Sequence, residues 1–219
     1  MKNQLREAWT TIIQPEDYEK HMASAGQAQV NARLVSDYFL SAQFEHDSSV
    51  LFLGAGTGQM FDYVRPSFLL PFQTTFADLN ASYLKWLRER LKIQPGLRFQ
   101  TVVDDVEQTQ LSHGYSVVLA VLLLEHVDWR KAVVTMCALA QQAAFVVIQE
   151  NPPGLATALS ANRAIAGTMK VFLEVHPQLV GRDGLEAEFS GNGFLKNYGA
   201  EKNVSDGKKM IALGFQKVR

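Results

Sequence analysis

The period of apolar and polar positions changes along the chain, and the changes mark its elements. Residues 14–43 carry apolar side chains at helical spacing, at Val30, Leu34, Tyr38 and Phe39, with a break expected near residues 24–26. Residues 49–53 (SVLFL) form a short continuous apolar run that ends in glycines, the pattern of a buried parallel strand. Residues 59–64 read as a helix stopped before Pro66. Residues 74–78 (TTFAD) read as a second strand. Residues 80–93 read as a helix with Asn80 as N-cap and Pro95-Gly96 as its stop. Further strands are expected at 98–103, 115–121 (YSVVLAV) and 144–149 (AFVVIQ), with a helix over 128–142 between the last two.

Strand and helix alternate five times, which implies right-handed crossovers and a parallel sheet covered on both faces. The last third breaks this rhythm. Residues 152–172 read as an apolar helix and 182–192 as another. Two strand-like runs, 196–204 and 208–217, then flank Ser205-Asp206-Gly207, and Asp-Gly between such runs is a hairpin signal. The expected fold class is α/β: a doubly wound, mostly parallel seven-stranded sheet ending in an antiparallel hairpin, with helices on both faces. No linker separates a second domain, so residues 1–219 are expected to form one.

Composition narrows the function classes. Apolar residues make up 47% of the 219 positions and charged residues 20%, as in ordinary globular proteins. Lys and Arg (21) nearly balance Asp and Glu (22), so no broad nucleic-acid footprint is expected. The one cysteine, Cys137, allows no intramolecular disulfide and no cysteine-based metal cluster, and points to a reducing, cytoplasmic compartment. The first twenty residues mix both charges without an apolar core, so no signal peptide is expected. No apolar run reaches the roughly 18 residues of a membrane span.

Gly54-Ala55-Gly56-Thr57-Gly58 lies directly between the first strand and a helical start. Glycines there let main chain approach a ligand, and free N–H groups face an anionic part of it. A tight turn is the plainer alternative. A dinucleotide fingerprint would need Gly at position 59, which is Gln59. Asp78 ends the second strand, where a carboxylate can accept from ribose hydroxyls, or instead cap the following helix. Asp104-Asp105-Val106 follows the third strand: a carboxylate there can accept from an adenine amine while Val106 packs on the ring, or the turn is simply a solvated acidic loop. The fourth strand runs into Leu122-Leu123-Leu124-Glu125-His126, at the carboxyl end that lines the crevice of such sheets. His126 is a candidate general base, with a hydrogen-bonded structural histidine as the alternative.

Together, VLFLGAGTG (50–58), FADLN (76–80), VVDDVE (102–107) and LLEHV (123–127) make the chain resemble the class I S-adenosylmethionine-dependent methyltransferases, small-molecule members in particular. The resemblance runs in order and spacing over residues 18–217 and includes the terminal hairpin. It implies a Rossmann-like methyltransferase fold with S-adenosylmethionine as cofactor. Gly54, Ala55 and Gly56 would cradle the methionine part. Asp78 and Leu79 would meet the ribose, Asp105 and Val106 the adenine, with Leu122 and Leu123 alongside. Tyr18, His21, Met22 and Gln27, on an N-terminal helical lid (1–45), would lie near the cofactor or acceptor, Tyr18 and Met22 at the cofactor; their plainer reading is helix packing on the sheet.

The resemblance also implies methyl transfer to an O or N atom of a small-molecule acceptor. That acceptor would be covered by the lid and by a helical insert (151–193) offering Phe172, Phe189 and a second candidate base, His176. No metal, nucleic acid or membrane is expected, and the protein is expected as a monomer or homodimer. One departure is Ser116, where many members carry an acid. Asn151-Pro152-Pro153-Gly154 follows the fifth strand and lacks the terminal aromatic of the Asn-Pro-Pro motif, so it reads as a turn. Two other readings remain: a catalytically inactive cofactor-binding partner protein, and an NAD(P)-dependent oxidoreductase.

Overall fold

The computed structural model describes residues 2–112, 114–152, 167–205 and 207–218. Its strands are β1 (Ser49–Leu53), β2 (Gln73–Asp78), β3 (Arg98–Val103), β4 (Tyr115–Val121), β5 (Ala140–Glu150), β6 (Phe194–Asn203) and β7 (Lys209–Lys217). They form one sheet in the order β3-β2-β1-β4-β5-β7-β6. β1 to β5 pair in parallel, and β7 runs antiparallel to both β5 and β6. The sheet is thus doubly wound and mostly parallel, with the expected hairpin at one edge.

Alternation along the strands sorts side chains to two cores. Leu51, Leu53, Val118, Ala120, Val146 and Ile148 face helices α5 (Trp129–Leu139) and α6 (Arg182–Gly191). Val50, Phe52, Phe76, Leu119 and Phe145 face α3 (Gln27–Ala42) and α4 (Ala81–Leu91). Tyr38 of α3 stacks on Phe145 with ring centroids 4.3 Å apart. Gly214 of β7 makes room for it, since a Cβ there would meet the Tyr38 ring at 2.7 Å.

The break near residues 24–26 is Gly26, in the left-handed region (φ +69°), between α2 (Pro15–Ala25) and α3. Ahead of α2 lie α1 (Lys2–Glu7) and a wide helical turn, Ala8–Ile12. A third apolar cluster joins this arm to the segment before α6: Leu5, Ala8 and Ile13 pack with Tyr83, Met169, Phe172 and Val175.

Three expectations change. Residues 59–64 form a single tight 3-10 turn, Gln59–Tyr63, rather than an α-helix. Gly58 enters it in the left-handed region, its carbonyl accepts from Phe61 N–H at 2.9 Å in the 3-10 pattern, and the chain is extended again by Val64. β5 begins at Ala140, four residues early, because its polar start pairs with both neighbours, Ala140 with Tyr115 and Ala143 with Gln216. The helix expected over 152–172 falls mostly on 153–166, outside the described residues, and Gly167–Leu173 is 3-10. Among the described residues no helix is long and apolar enough to cross a membrane.

Candidate functional site

The carboxyl ends of β1, β2 and β4 lie level, with Leu53 paired to both Ala77 and Ala120. A cavity of about 240 Å³ opens there. Its floor is the turn after β1, the end of β2, the acidic turn after β3 and the segment after β4. Its roof comes from the N-terminal arm and from Met169 and Phe172.

The glycine loop bends over β2 through Ala55 N–H, which donates to Ala77 O at 3.0 Å. Gly54 and Gly56 both have positive φ, +62° and +59°. A Cβ on Gly54 would meet Leu123 Cδ1 at 2.7 Å, and one on Gly56 would face the Tyr18 hydroxyl at 3.5 Å. Both positions therefore favour glycine by conformation, Gly54 by space as well, and the loop presents bare main chain.

Asp78 ties the floor together. Its Oδ2 accepts from Gly56 N–H at 2.8 Å and its Oδ1 from Asn80 N–H at 2.8 Å. Burial pushes its pKa up, while the backbone N–H donors of Asn80, Gly56 and Leu79 pull the other way. It does not cap α4. Asn80 does, its side chain accepting from Ser82 N–H at 2.8 Å and Tyr83 N–H at 3.4 Å.

Beyond β3 the two aspartates differ. Asp104 uses both oxygens on its own loop, accepting from Thr109 Oγ1 at 2.7 Å and Gln110 N–H at 2.8 Å. Asp105 accepts from Glu107 N–H at 3.0 Å and pairs with Arg6 of the arm. Leu122, just after β4, is a non-glycine residue at φ +53°, a strained position at the cavity edge. The Ser116 departure is accommodated by a reciprocal serine pair: Ser116 N–H donates to Ser49 Oγ at 3.0 Å, and Ser49 N–H to Ser116 Oγ at 3.2 Å.

Tyr18, Met22, Gly54, Gly56, Asp78, Leu79, Asp105, Val106, Leu122 and Leu123 all line the cavity, as do His21, Gln27 and Phe172. Ala55 lines instead a smaller cleft of about 40 Å³ beneath the loop. His126 lines the cavity between aromatic neighbours, its ring 4.8 Å from Trp9 and 5.6 Å from Phe172 by centroids. Burial there holds its pKa down at about 3, so the ring is neutral and a weak base. His176 is exposed and off the cavity lining; the following Pro177 takes that place. Phe189 is not a lining residue either, because it stacks on Phe215 at 4.0 Å in the core.

Sequence reasoning left out the arm residues Arg6 and Trp9 and the distant Tyr83, Gln149 and Lys208. Trp9 meets Tyr18, Tyr83, His126 and Phe172 edge-on or tilted. Lys208 is 1% exposed although it precedes Lys209 in a polar stretch. Asn80 Nδ2 donates to Trp9 O at 2.7 Å and Tyr83 Oη to Ile13 O at 3.2 Å, which docks the arm on α4. Among the described residues, no group of three or more His, Cys, Asp or Glu side chains is placed to hold a metal ion.

Residues 51–148 match a family model described as a methyltransferase domain. A search of curated proteins finds no match. Among solved structures, magnesium protoporphyrin IX methyltransferase (ChlM) from Synechocystis PCC 6803 with bound SAM superposes with a TM-score of 0.66 at 12% identity, over 87% of this chain and 79% of that one. N-methyltransferase NodS from Bradyrhizobium japonicum WM9, in complex with S-adenosyl-L-homocysteine, gives 0.60 at 11% identity, over 86% of each chain. Geranyl diphosphate C-methyltransferase from Streptomyces coelicolor A3(2), in complex with Mg²⁺, geranyl diphosphate and S-adenosyl-L-homocysteine, gives 0.62 at 10% identity, over 84% and 76%. At such identities the likeness is one of fold, and the three differ in the acceptors they are named for.

Proposed function

We propose that this chain, which belongs to the class I S-adenosylmethionine-dependent methyltransferases, transfers the methyl group to an O or N atom of a small-molecule acceptor. The observation that carries the reading is the floor of the cavity: a glycine loop with bare main chain, held in place by a carboxylate at the end of β2. The residues fit the donor. Gly54, Gly56, Tyr18 and Met22 would hold its methionine part, with Ala55 setting the loop from below. Asp78 and Leu79 would meet the ribose. Asp105 would accept from the adenine amine, exchanging its ion pair with Arg6, and Val106 would pack on the ring. Leu122 and Leu123 would lie beside it.

Bound there, the donor supplies a methyl group already activated on a positive sulfur. The protein has to align the acceptor with it and exclude water, and positioning of that kind contributes on the order of 7–11 kcal/mol. The N-terminal arm and the Gly167–Leu173 segment would supply the exclusion, through Trp9 and Phe172 in the cavity lining. His126, neutral and weakly basic, serves this reading as part of the aromatic wall. We place the reaction in the cytoplasm, with a single domain over 1–219, residues 1–45 as lid and 151–193 as insert.

The test is a binding titration of the full chain with S-adenosylhomocysteine and, separately, with NADH. Saturable binding of the first alone supports the reading. Binding of NADH alone would replace it with hydride transfer.

A further inference from the structure

Glu125 lies in the 3-10 turn Leu124–His126, directly after β4, and is 2% exposed. Its Oε1 accepts from Gln149 N–H of β5 at 2.8 Å. Its Oε2 is buried, has no partner in the protein, and belongs to a residue that lines the cavity. Lys208, buried just before β7, lines the same cavity, and its charge acts on Glu125. Two further buried polar atoms of lining residues lack a protein partner: Trp9 Nε1 and His126 Nδ1. The rings of Trp9, His126 and Phe172 pack against one another and form an apolar wall, with Trp9 and Phe172 centroids 5.4 Å apart.

An ionised carboxylate oxygen only accepts hydrogen bonds, so a ligand that satisfies Oε2 must bring an O–H or N–H. The aromatic wall suits a flat, apolar body carrying that group. The need for a base separates the two donors. A neutral amine attacks with its own lone pair and sheds its proton afterwards, whereas a hydroxyl is a poor nucleophile until a base takes its proton.

We propose that the acceptor is an aromatic hydroxyl compound of the phenol class and that Glu125 takes its proton. The inference rests on the methyl-transfer reading above and deepens it. The acceptor's O–H bond breaks, its proton goes to Oε2 and the electron pair stays on oxygen. That oxygen bonds to the sulfonium methyl carbon as the carbon–sulfur bond breaks and its electrons return to sulfur. The products are a methyl ether, a neutral thioether and a protonated Glu125, which then returns its proton to solvent.

The electrostatics agree. Burial pushes the Glu125 pKa up to about 7, the backbone N–H of Gln149 and the Lys208 charge opposing it. It is therefore a stronger base than an ordinary carboxylate while still ionised in part at neutral pH. Around it stand Lys208 just before β7 and neutral His126 next in sequence. Gln149 on β5 and Gln178, whose N–H donates to Glu125 O at 2.9 Å, carry no charge. The remaining ionisable lining groups, Arg6, Tyr18, His21, Asp78, Tyr83 and the acidic turn 104–107, belong to the arm, α2, β2, α4 and the loop after β3.

The test uses the full chain with S-adenosylmethionine and two sets of probes: phenol and naphthol against aniline and benzylamine, with products read by mass spectrometry. Methyl ethers are expected from the phenols and no methylamines from the amines. The wild-type kcat/KM should rise with pH through one ionisation near 7. Glu125→Gln should lower kcat by about 100-fold or more and abolish that rise, while S-adenosylhomocysteine binding by calorimetry stays at the wild-type level. Lys208→Met should move the midpoint of the rise upward. Methylation of the amines rather than the phenols, or an unchanged pH profile in Glu125→Gln, would overturn the inference. The wild-type arms need no folded variant. S-adenosylhomocysteine binding without methylation of any phenol removes this inference alone, whereas absent S-adenosylhomocysteine binding removes the methyl-transfer reading beneath it.

Discussion

At the scale of single residues, Asp78 holds the loop and, in the proposed function, would also meet the ligand. Its two oxygens already hold Gly56 N–H and Asn80 N–H, leaving their remaining lone pairs for hydroxyls in the cavity. Asp78→Ala is expected to weaken S-adenosylhomocysteine binding by roughly 10- to 100-fold, the equivalent of about one hydrogen bond to a charged group. Calorimetry gives the dissociation constant, and a value equal to wild type would remove Asp78 from the site. Glu125 and His126, adjacent in sequence, are expected to shape stability against pH with opposite signs. Glu125 titrates near 7 in the fold against 4.5 ordinarily, so the native state holds its proton longer. Stability is therefore lost as pH rises across that window, by on the order of 3 kcal/mol. His126 titrates near 3 against 6.5, so the unfolded state takes up the proton first and stability is lost as pH falls below 6.5. Urea unfolding across pH checks both. Glu125→Gln should remove the loss that accompanies a rise from pH 4.5 to about 7, and His126→Phe the loss that accompanies a fall from pH 6.5 to about 3. Parallel curves for wild type and variants would contradict the assignment.

At the scale of elements, the N-terminal arm depends on α4 more than on its own sequence. The Asn80 side chain caps α4 with its oxygen and holds the Trp9 carbonyl with its nitrogen. Asn80→Ala should cost about 1–2 kcal/mol in urea unfolding from the lost cap alone. It should also speed proteolytic clipping of the arm, which a Ser82→Ala control should not do. The sequence showed β1 and β4 with their observed ends, because a strand buried on both faces reads as an unbroken apolar run bounded by turn residues; β3 (RFQTVV), a largely uncovered edge strand, was legible instead from its bounds, Pro95-Gly96 before it and Asp104-Asp105 after it. Gly26 as the α2–α3 break and Asn80 as a cap were legible for the same local reason. The start of β5 was not, since Gln141 and Gln142 are polar and only pairing with β4 and β7 draws them into the sheet. The turn 59–63 was misread because its apolar residues fit a helical period, while Gly58 and its shortness decide the geometry.

At the scale of the whole molecule, the cavity is assembled from parts far apart in sequence. Motifs on the strand ends were readable one by one, each beside its own strand. Arg6 meets Asp105 across 99 positions, and Lys208 turns inward only because the terminal hairpin folds back beside β5. No local pattern distinguishes Lys208 from the solvated Lys209 next to it, nor marks Trp9 as a roof. At the floor of that cavity, in the proposed function, the glycine loop and Asp78 would receive a sulfonium donor's product. The most direct measurement is calorimetric titration of the full wild-type chain with S-adenosylhomocysteine, run beside NADH. The account predicts saturable one-to-one binding of S-adenosylhomocysteine and no heat from NADH. No S-adenosylhomocysteine binding, or saturable binding of NADH in its place, would contradict it.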